Sequence, residues 1–349
     1  MTQDIPASFM TQAEICEAMG SPLTARVLRL LSQSLNRQTP LGRRLLYWPN
    51  DPSGKGDALG LRLAGGLHSL VLDGTAPALA SAYAAPERHS DPAFLDLLTG
   101  TLQQHQTRLD SWLDSPPQTN EVRRSAILIA AGHWLTARYG LPLTLSELGA
   151  SAGLNLIWDR YALEAGNTRL GPDPAVITLR PDWRGAIPPQ AMPVVAARSG
   201  VDRNPLNPRS DQLRLLAYLW ADQTERLHRT RLACEEAARL ASPIDRADAV
   251  DWLAQRLANP PAESLHLVFH TVVLQYLPLP AQRQVASLLE TAGARATPKT
   301  PLAHLSMEAD DTAEPGAALH LRLWPGNVKI PLGRCDFHGR WVDWQAPPP

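Results

Sequence analysis

The chain has 349 residues, 44% of them apolar, and sets 33 lysines and arginines against 34 aspartates and glutamates. That length supports two domains or one large decorated domain with a sizeable core. The balanced charge, with no run of lysine or arginine, gives a nucleic-acid backbone little to attract. Cys16, Cys234 and Cys335 are odd in number and far apart, which argues against a disulfide framework and a structural zinc site. Residues 1–10 include Asp4 and Pro6 and no apolar run, so no secretory signal is expected. No segment reaches the roughly 18 uninterrupted apolar residues of a membrane helix. The expectation is a cytoplasmic protein with no membrane or nucleic-acid partner and no bound metal.

Up to about residue 140 the patterns are helical. Val27, Leu28, Leu30, Leu31 and Leu35 share one broad face. Residues 59–72 are leucine-rich but carry Gly60, Gly65 and Gly66, which either break a helix or admit close helix packing. Asp91-Pro92 predicts a helix start, with the proline in the first turn, running to Trp112. A long apolar helix is expected over residues 121–139.

The texture then changes. Residues 143–148 are short and apolar and lead into Gly149-Ala150-Ser151-Ala152-Gly153. Leu154, Ile157, Trp158 and Tyr161 follow at helical spacing, giving strand, glycine turn, helix. Strands are predicted at 193–202, 264–270, 302–307, 318–324 and 335–344, the last two as antiparallel neighbours. Helices are predicted after Ser210-Asp211 and at 225–240 and 281–292, with a loop entering a helix over 247–257. Alternating strands and helices imply parallel βαβ units.

The glycine turn carries the strongest chemical signal. Without Cβ atoms at Gly149 and Gly153, backbone amides can approach a ligand closely. Glu147 can accept from an ammonium and would repel a pyrophosphate. Ser151 stands where a dinucleotide fingerprint needs its second glycine. A tight turn without any ligand is the alternative.

This turn resembles the first motif of class I S-adenosylmethionine-dependent methyltransferases, an acidic residue before G-x-G-x-G, with serine replacing the middle glycine. The chain is also similar to an uncharacterised bacterial family, domain of unknown function 2332, assigned to that fold. The stretches RLAGGLHSLVLDG, ELGASAGLNLIWDRY, GVDRNPLN, LRLLAYLWADQ, DAVDWL, VFHTVVLQYLP and FHGRWVDW carry that likeness. The resemblance implies an α/β protein with a Rossmann-like, mixed, seven-stranded sheet whose last pair is antiparallel. It places this domain at 141–349, behind an all-helical region at 1–140 that forms the acceptor pocket. It implies S-adenosyl-L-methionine as cofactor and a small-molecule acceptor. Glu147, Gly149, Ser151, Gly153 and Asn155 would cradle the methionine and ribose part, and Asp202 the ribose hydroxyls. Asp248 and Ala249 would read adenine, or Asp248 is simply a helix N-cap. His270, closing the strand beside the glycine-turn strand, is the candidate general base, and Tyr276 or Gln275 would orient the acceptor; a hydrogen-bonded strand-end histidine is the alternative. Asp202 lies about fifty residues beyond the glycines, so an insertion near 166–192 has to be looped out for its role to hold.

Two further classes compete. Gly149-x-Ser151-x-Gly153 also spells the nucleophile elbow of a serine esterase, with Asp202 or Asp248 and His270, His304 or His338 completing a triad. Against it, Glu147 opposes an oxyanion and no His-Gly-Gly loop precedes the site. A non-catalytic nucleoside-binding protein on the same fold is the third reading. His266 and His270 are four apart, but on a strand that spacing spans ~13 Å, too far to share a metal. Gly54-Lys55 lacks the first glycine of a phosphate loop and reads as a turn.

Overall fold

The structure is a computed structural model and describes residues 4–349; residues 1–3 of the stretch examined for a secretory signal lie outside it. The chain forms two compact units, one of residues 1–119 with 210–231 and one of 120–209 with 232–349. No helix among the described residues is long and apolar enough to cross a membrane.

The first unit holds α1 (Ile5–Ala18), α2 (Pro22–Ser34), α3 (Pro40–Leu46), α4 (Leu59–Leu72), α5 (Pro77–Ala84), α6 (Asp91–Gln104) and α7 (Gln106–Trp112). Asp4, Thr39 and Ser90 cap α1, α3 and α6 by accepting from amides three residues on, and prolines occupy first-turn positions where a missing N–H costs nothing. Phe9, Leu28, Leu63, Leu67, Phe94 and Leu98 meet in one core. The α4 glycines serve close packing and do not break the helix. A Cβ on Gly65 would lie 2.7 Å from the Tyr218 ring, and one on Gly66 2.9 Å from Leu109. The expected single helix from Asp91 to Trp112 is divided at His105, which ends α6 and begins α7.

The second unit opens with α8 (Ser125–Tyr139), shorter than predicted because residues 122–124 form a 3-10 turn. β1 (Leu143–Leu148) follows, then β2 (Tyr161–Ala165), β3 (Thr168–Leu170), β4 (Ile177–Leu179), β5 (Asp182–Gly185) and β6 (Val195–Asp202). α9 (Gln212–Ala217) belongs to the first unit and α10 (Thr224–Leu240) is shared between the two; the second unit then continues with β7 (Ile244–Arg246), α11 (Ala249–Ala258), β8 (Leu265–Thr271) and α12 (Leu279–Gly293). The chain ends in β9 (Leu302–Glu308), β10 (Ala317–Trp324), β11 (Val328–Cys335) and β12 (Trp341–Trp344).

This is an α/β arrangement around a large, mostly parallel sheet ordered β5-β12-β11-β10-β9-β8-β1-β6-β7. It has nine strands where seven were expected. β11 was missed, and β5, from the predicted insertion, pairs in parallel with β12 at the sheet edge. The predicted strand over 335–344 is broken by a turn at 336–340, so β10 pairs with β11 and β11 with β12. The rest of the insertion forms a separate three-stranded sheet, β3-β2-β4. With the insertion set aside, β6 pairs directly with β1, in parallel, and Asp202 ends it.

The predicted helix over Leu154–Tyr161 does not form; the segment is a series of turns and a 3-10 turn at Trp158–Arg160. Leu154, Leu156, Ile157 and Trp158 are all buried, so the apolar spacing reflects burial on every side and not a helix face. Local partners replace the helical bonds. The Leu154 amide donates to Asn120 Oδ1 (3.0 Å), Ser125 Oγ to Asn155 Oδ1 (2.7 Å) and Tyr161 Oη to the Leu154 carbonyl (2.9 Å).

On one side of the sheet Leu148, Val201, Val268 and Leu302 pack with Trp252 and Leu253 of α11 and Val285 and Leu289 of α12. Nearby, buried Ser146 holds His266 Nε2 at 2.8 Å and accepts from Arg256 Nε at 3.2 Å. Burial, then the Arg256 charge, lowers His266 from 6.5 to about 4. Below pH 6.5 the unfolded chain binds a proton that the folded chain refuses until about pH 4. Stability should therefore decrease as the pH is lowered from about 6.5 towards 4, by about 1.4 kcal/mol per unit at most from this group. Urea midpoints measured from neutral to mildly acidic pH check this, and His266→Gln should flatten the dependence.

Candidate functional site

β1 lies between β6 and β8, with Glu147 in register with Gly200 on one side and Phe269 on the other. The chain leaves β1 toward β6 and β7, then returns to β8 and β9 on the opposite side. The carboxyl ends of β1 and β8 thus flank the point where the sheet's winding reverses, where open α/β sheets leave a crevice for ligands. Glu147 is 2% exposed there, and its Oε2 has no hydrogen-bond partner among the described residues. Burial, then the Asp202 carboxylate, pushes its carboxyl well above the usual range, with Arg124 pulling the other way.

Gly149 (φ +69°), Ser151 (φ +53°) and Gly153 (φ +71°) all adopt left-handed backbone, which turns the chain sharply after β1. The turn is stitched to the end of β6. The Ala150 amide donates to the Val201 carbonyl (3.0 Å), the Ser151 amide to Asp202 Oδ2 (2.9 Å) and the Leu206 amide to the Ser151 carbonyl (3.2 Å). The space a Cβ would need is taken by protein. Val273 sits 2.6 Å from a Cβ on Gly149, and Ile244 2.6 Å from one on Gly153. The glycines therefore answer first to backbone conformation and packing. Ser151 Oγ is buried without a partner.

Asp202 also accepts from the Asn204 amide through Oδ1 (2.8 Å), so each of its oxygens already holds one backbone amide. Each carboxylate oxygen keeps a second acceptor position. Asp248 caps α11 by accepting from the Val250 amide (2.8 Å) and pairs with Arg203 (2.9 Å), which lowers its pKa. Ala249 is the first residue of that helix.

His270 is 1% exposed, and both of its ring nitrogens are engaged: Nδ1 meets Glu308 Oε1 at 2.6 Å and Nε2 meets His304 Nε2 at 2.9 Å. Strand alternation and the Glu147–Phe269 register put His270 on the face of the sheet opposite Glu147. The structure thus separates the candidate base from the glycine turn. Glu308, which sequence reasoning missed, organises the loop beyond β8. It accepts from the Val273 amide (2.9 and 3.1 Å) and the Leu274 amide (3.3 Å), next to Val272 in left-handed backbone (φ +59°). That loop presents Val273 to Gly149 and leaves Tyr276 76% exposed. An acidic residue ending a parallel strand beside β8 was the available signal for Glu308.

Arg124, also missed, spans two carbonyls, donating from Nε to Phe337 (2.9 Å) and from Nη1 to Thr271 (2.9 Å). His338 Nδ1 lies 3.7 Å from Glu121 Oε2, and Glu121 is buried. The serine-esterase arrangement is not assembled. Among the described residues no histidine bonds Ser151 Oγ, and no helix follows the turn as a nucleophile elbow requires.

The sequence model of one family, DUF2332, described as an uncharacterized protein conserved in bacteria, matches residues 6–344. No curated protein and no solved structure matches the chain.

Proposed function

The chain belongs to this bacterial DUF2332 family, and we propose that it is an S-adenosylmethionine-dependent methyltransferase on a Rossmann-like fold, acting on a small molecule. The observation that carries the reading is a pair of buried polar groups without partners, Glu147 Oε2 and Ser151 Oγ, at the carboxyl end of β1 where the winding reverses. Other buried polar atoms also lack partners, and what supports the reading is that these two stand together where open α/β sheets bind ligands. A carboxylate there suits the ammonium of an amino-acid-bearing nucleoside. Bound there, the cofactor supplies an electrophilic methyl group on sulfur.

The chain's own residues align and shield. Glu147 receives the ammonium, and Ser151 Oγ bonds the methionine part. Asp202 spends its remaining lone pairs on the ribose hydroxyls. Asp248 and the Ala249 amide lie at the α11 terminus for the base. Asn155, held by Ser125, braces the turn. Tyr276 stands free to orient the acceptor, and His270 acts through Glu308 as a positioning residue for the loop.

Titration calorimetry with S-adenosylhomocysteine tests the reading. Asp202→Ala should weaken binding by about 1–3 kcal/mol by removing charge-assisted bonds. Unchanged affinity in a variant with a native circular-dichroism spectrum would remove Asp202 from the site.

A further inference from the structure

We propose that Glu147 selects an ammonium-bearing ligand by proton exchange: it is a neutral acid in the free protein and surrenders its proton when the ammonium arrives. The inference rests on the methyltransferase reading and extends it to what distinguishes one nucleoside from another.

Glu147 lies on a fully buried central strand and has no ion-pair partner within 4 Å among the described residues, and its Oε2 meets no donor. β6 brings Asp202, of like sign, and β2 brings Tyr161. β8 brings uncharged Phe269 in register. Arg124, ahead of α8, favours ionisation, but its guanidinium bonds the Phe337 and Thr271 carbonyls. A carboxylate in that setting pays desolvation with little return, so the acid form prevails. An ammonium reverses the balance: its N–H donates to Oε2, the carboxyl ionises, and its proton leaves to solvent.

A ligand without the amine cannot drive that exchange. S-adenosylhomocysteine and 5′-methylthioadenosine share a nucleoside thioether, and only the first carries the amino acid. Calorimetric titrations near neutral pH, in phosphate and in Tris, read the proton count from the dependence of heat on buffer ionisation. The expected result is net proton release, up to one per S-adenosylhomocysteine bound, and none for 5′-methylthioadenosine. Affinity for the first should rise with pH, by up to about tenfold per unit. Glu147→Gln should bind S-adenosylhomocysteine with no release. Binding by wild type without proton release overturns the exchange and leaves the cofactor reading standing, as does equal release from Glu147→Gln. Failure of both nucleosides to bind folded wild type overturns the cofactor reading, and the exchange with it.

Discussion

Replacing Glu308 by alanine is expected to cost about 3–5 kcal/mol, because three donors lose their acceptor at once. They are His270 Nδ1 and the amides of Val273 and Leu274, all at or beyond the end of β8. A buried donor left without a partner costs about 1–3 kcal/mol, and the part-exposed edge at Glu308 lets water recover some of it. Glu308→Gln keeps one acceptor oxygen and should lose about half as much. Chemical denaturation of the two variants beside wild type measures both. A loss under about 1 kcal/mol for Glu308→Ala would mean that the loop is held by something other than this carboxylate. The variant should also loosen Val273 from Gly149, and so weaken nucleoside binding without touching the ligand.

Gly149→Ala attacks the same contact from the other side. The backbone there has φ +69°, and the new methyl would lie 2.6 Å from a Val273 methyl. A left-handed non-glycine residue costs about 1 kcal/mol and a stiff β-branched neighbour forced aside about 1–3 more. The expected total is about 2–4 kcal/mol. Val273→Ala in the same chain should recover the steric part and leave the conformational part. A double-mutant cycle by urea unfolding separates them, and simple additivity would falsify the contact.

Much of the sheet follows from local pattern. β1 and β8 are short, leucine- or valine-bearing runs buried along their whole length, and β1 is bounded by Pro142 and Gly149. β6 is recognisable from its end at Gly200-Val201-Asp202, and its direct pairing with β1 keeps Asp202 beside the glycine turn in spite of the long insertion. β11 escaped notice because Lys329, Pro331 and Arg334 interrupt it and exposed and buried residues alternate irregularly. The missing helix after Gly153 shows the limit of periodicity: where a segment is enclosed on all sides, helical spacing and tight turns bury the same residues.

The candidate site divides along the same line. Residues near one another in sequence, such as Glu147 and Ser151, come together through the turn itself. Glu308 and Arg124 join through register and long-range carbonyl contacts, which no local pattern carries. The position of His270 depended on strand parity. One residue's shift in register reverses the face, so only the paired sheet decides it.

The strand at one margin of the large sheet, β5, has no neighbour there except β12. During synthesis Asp182–Gly185 emerges long before Trp341–Trp344, the pairing that gives it a place. Until Trp341–Trp344 has emerged, those early residues have no ladder to join, and the entropy of closing so large a loop comes late. A chain cut before Trp341 would therefore leave β5 without its partner strand and expose the rim of β11 to other chains.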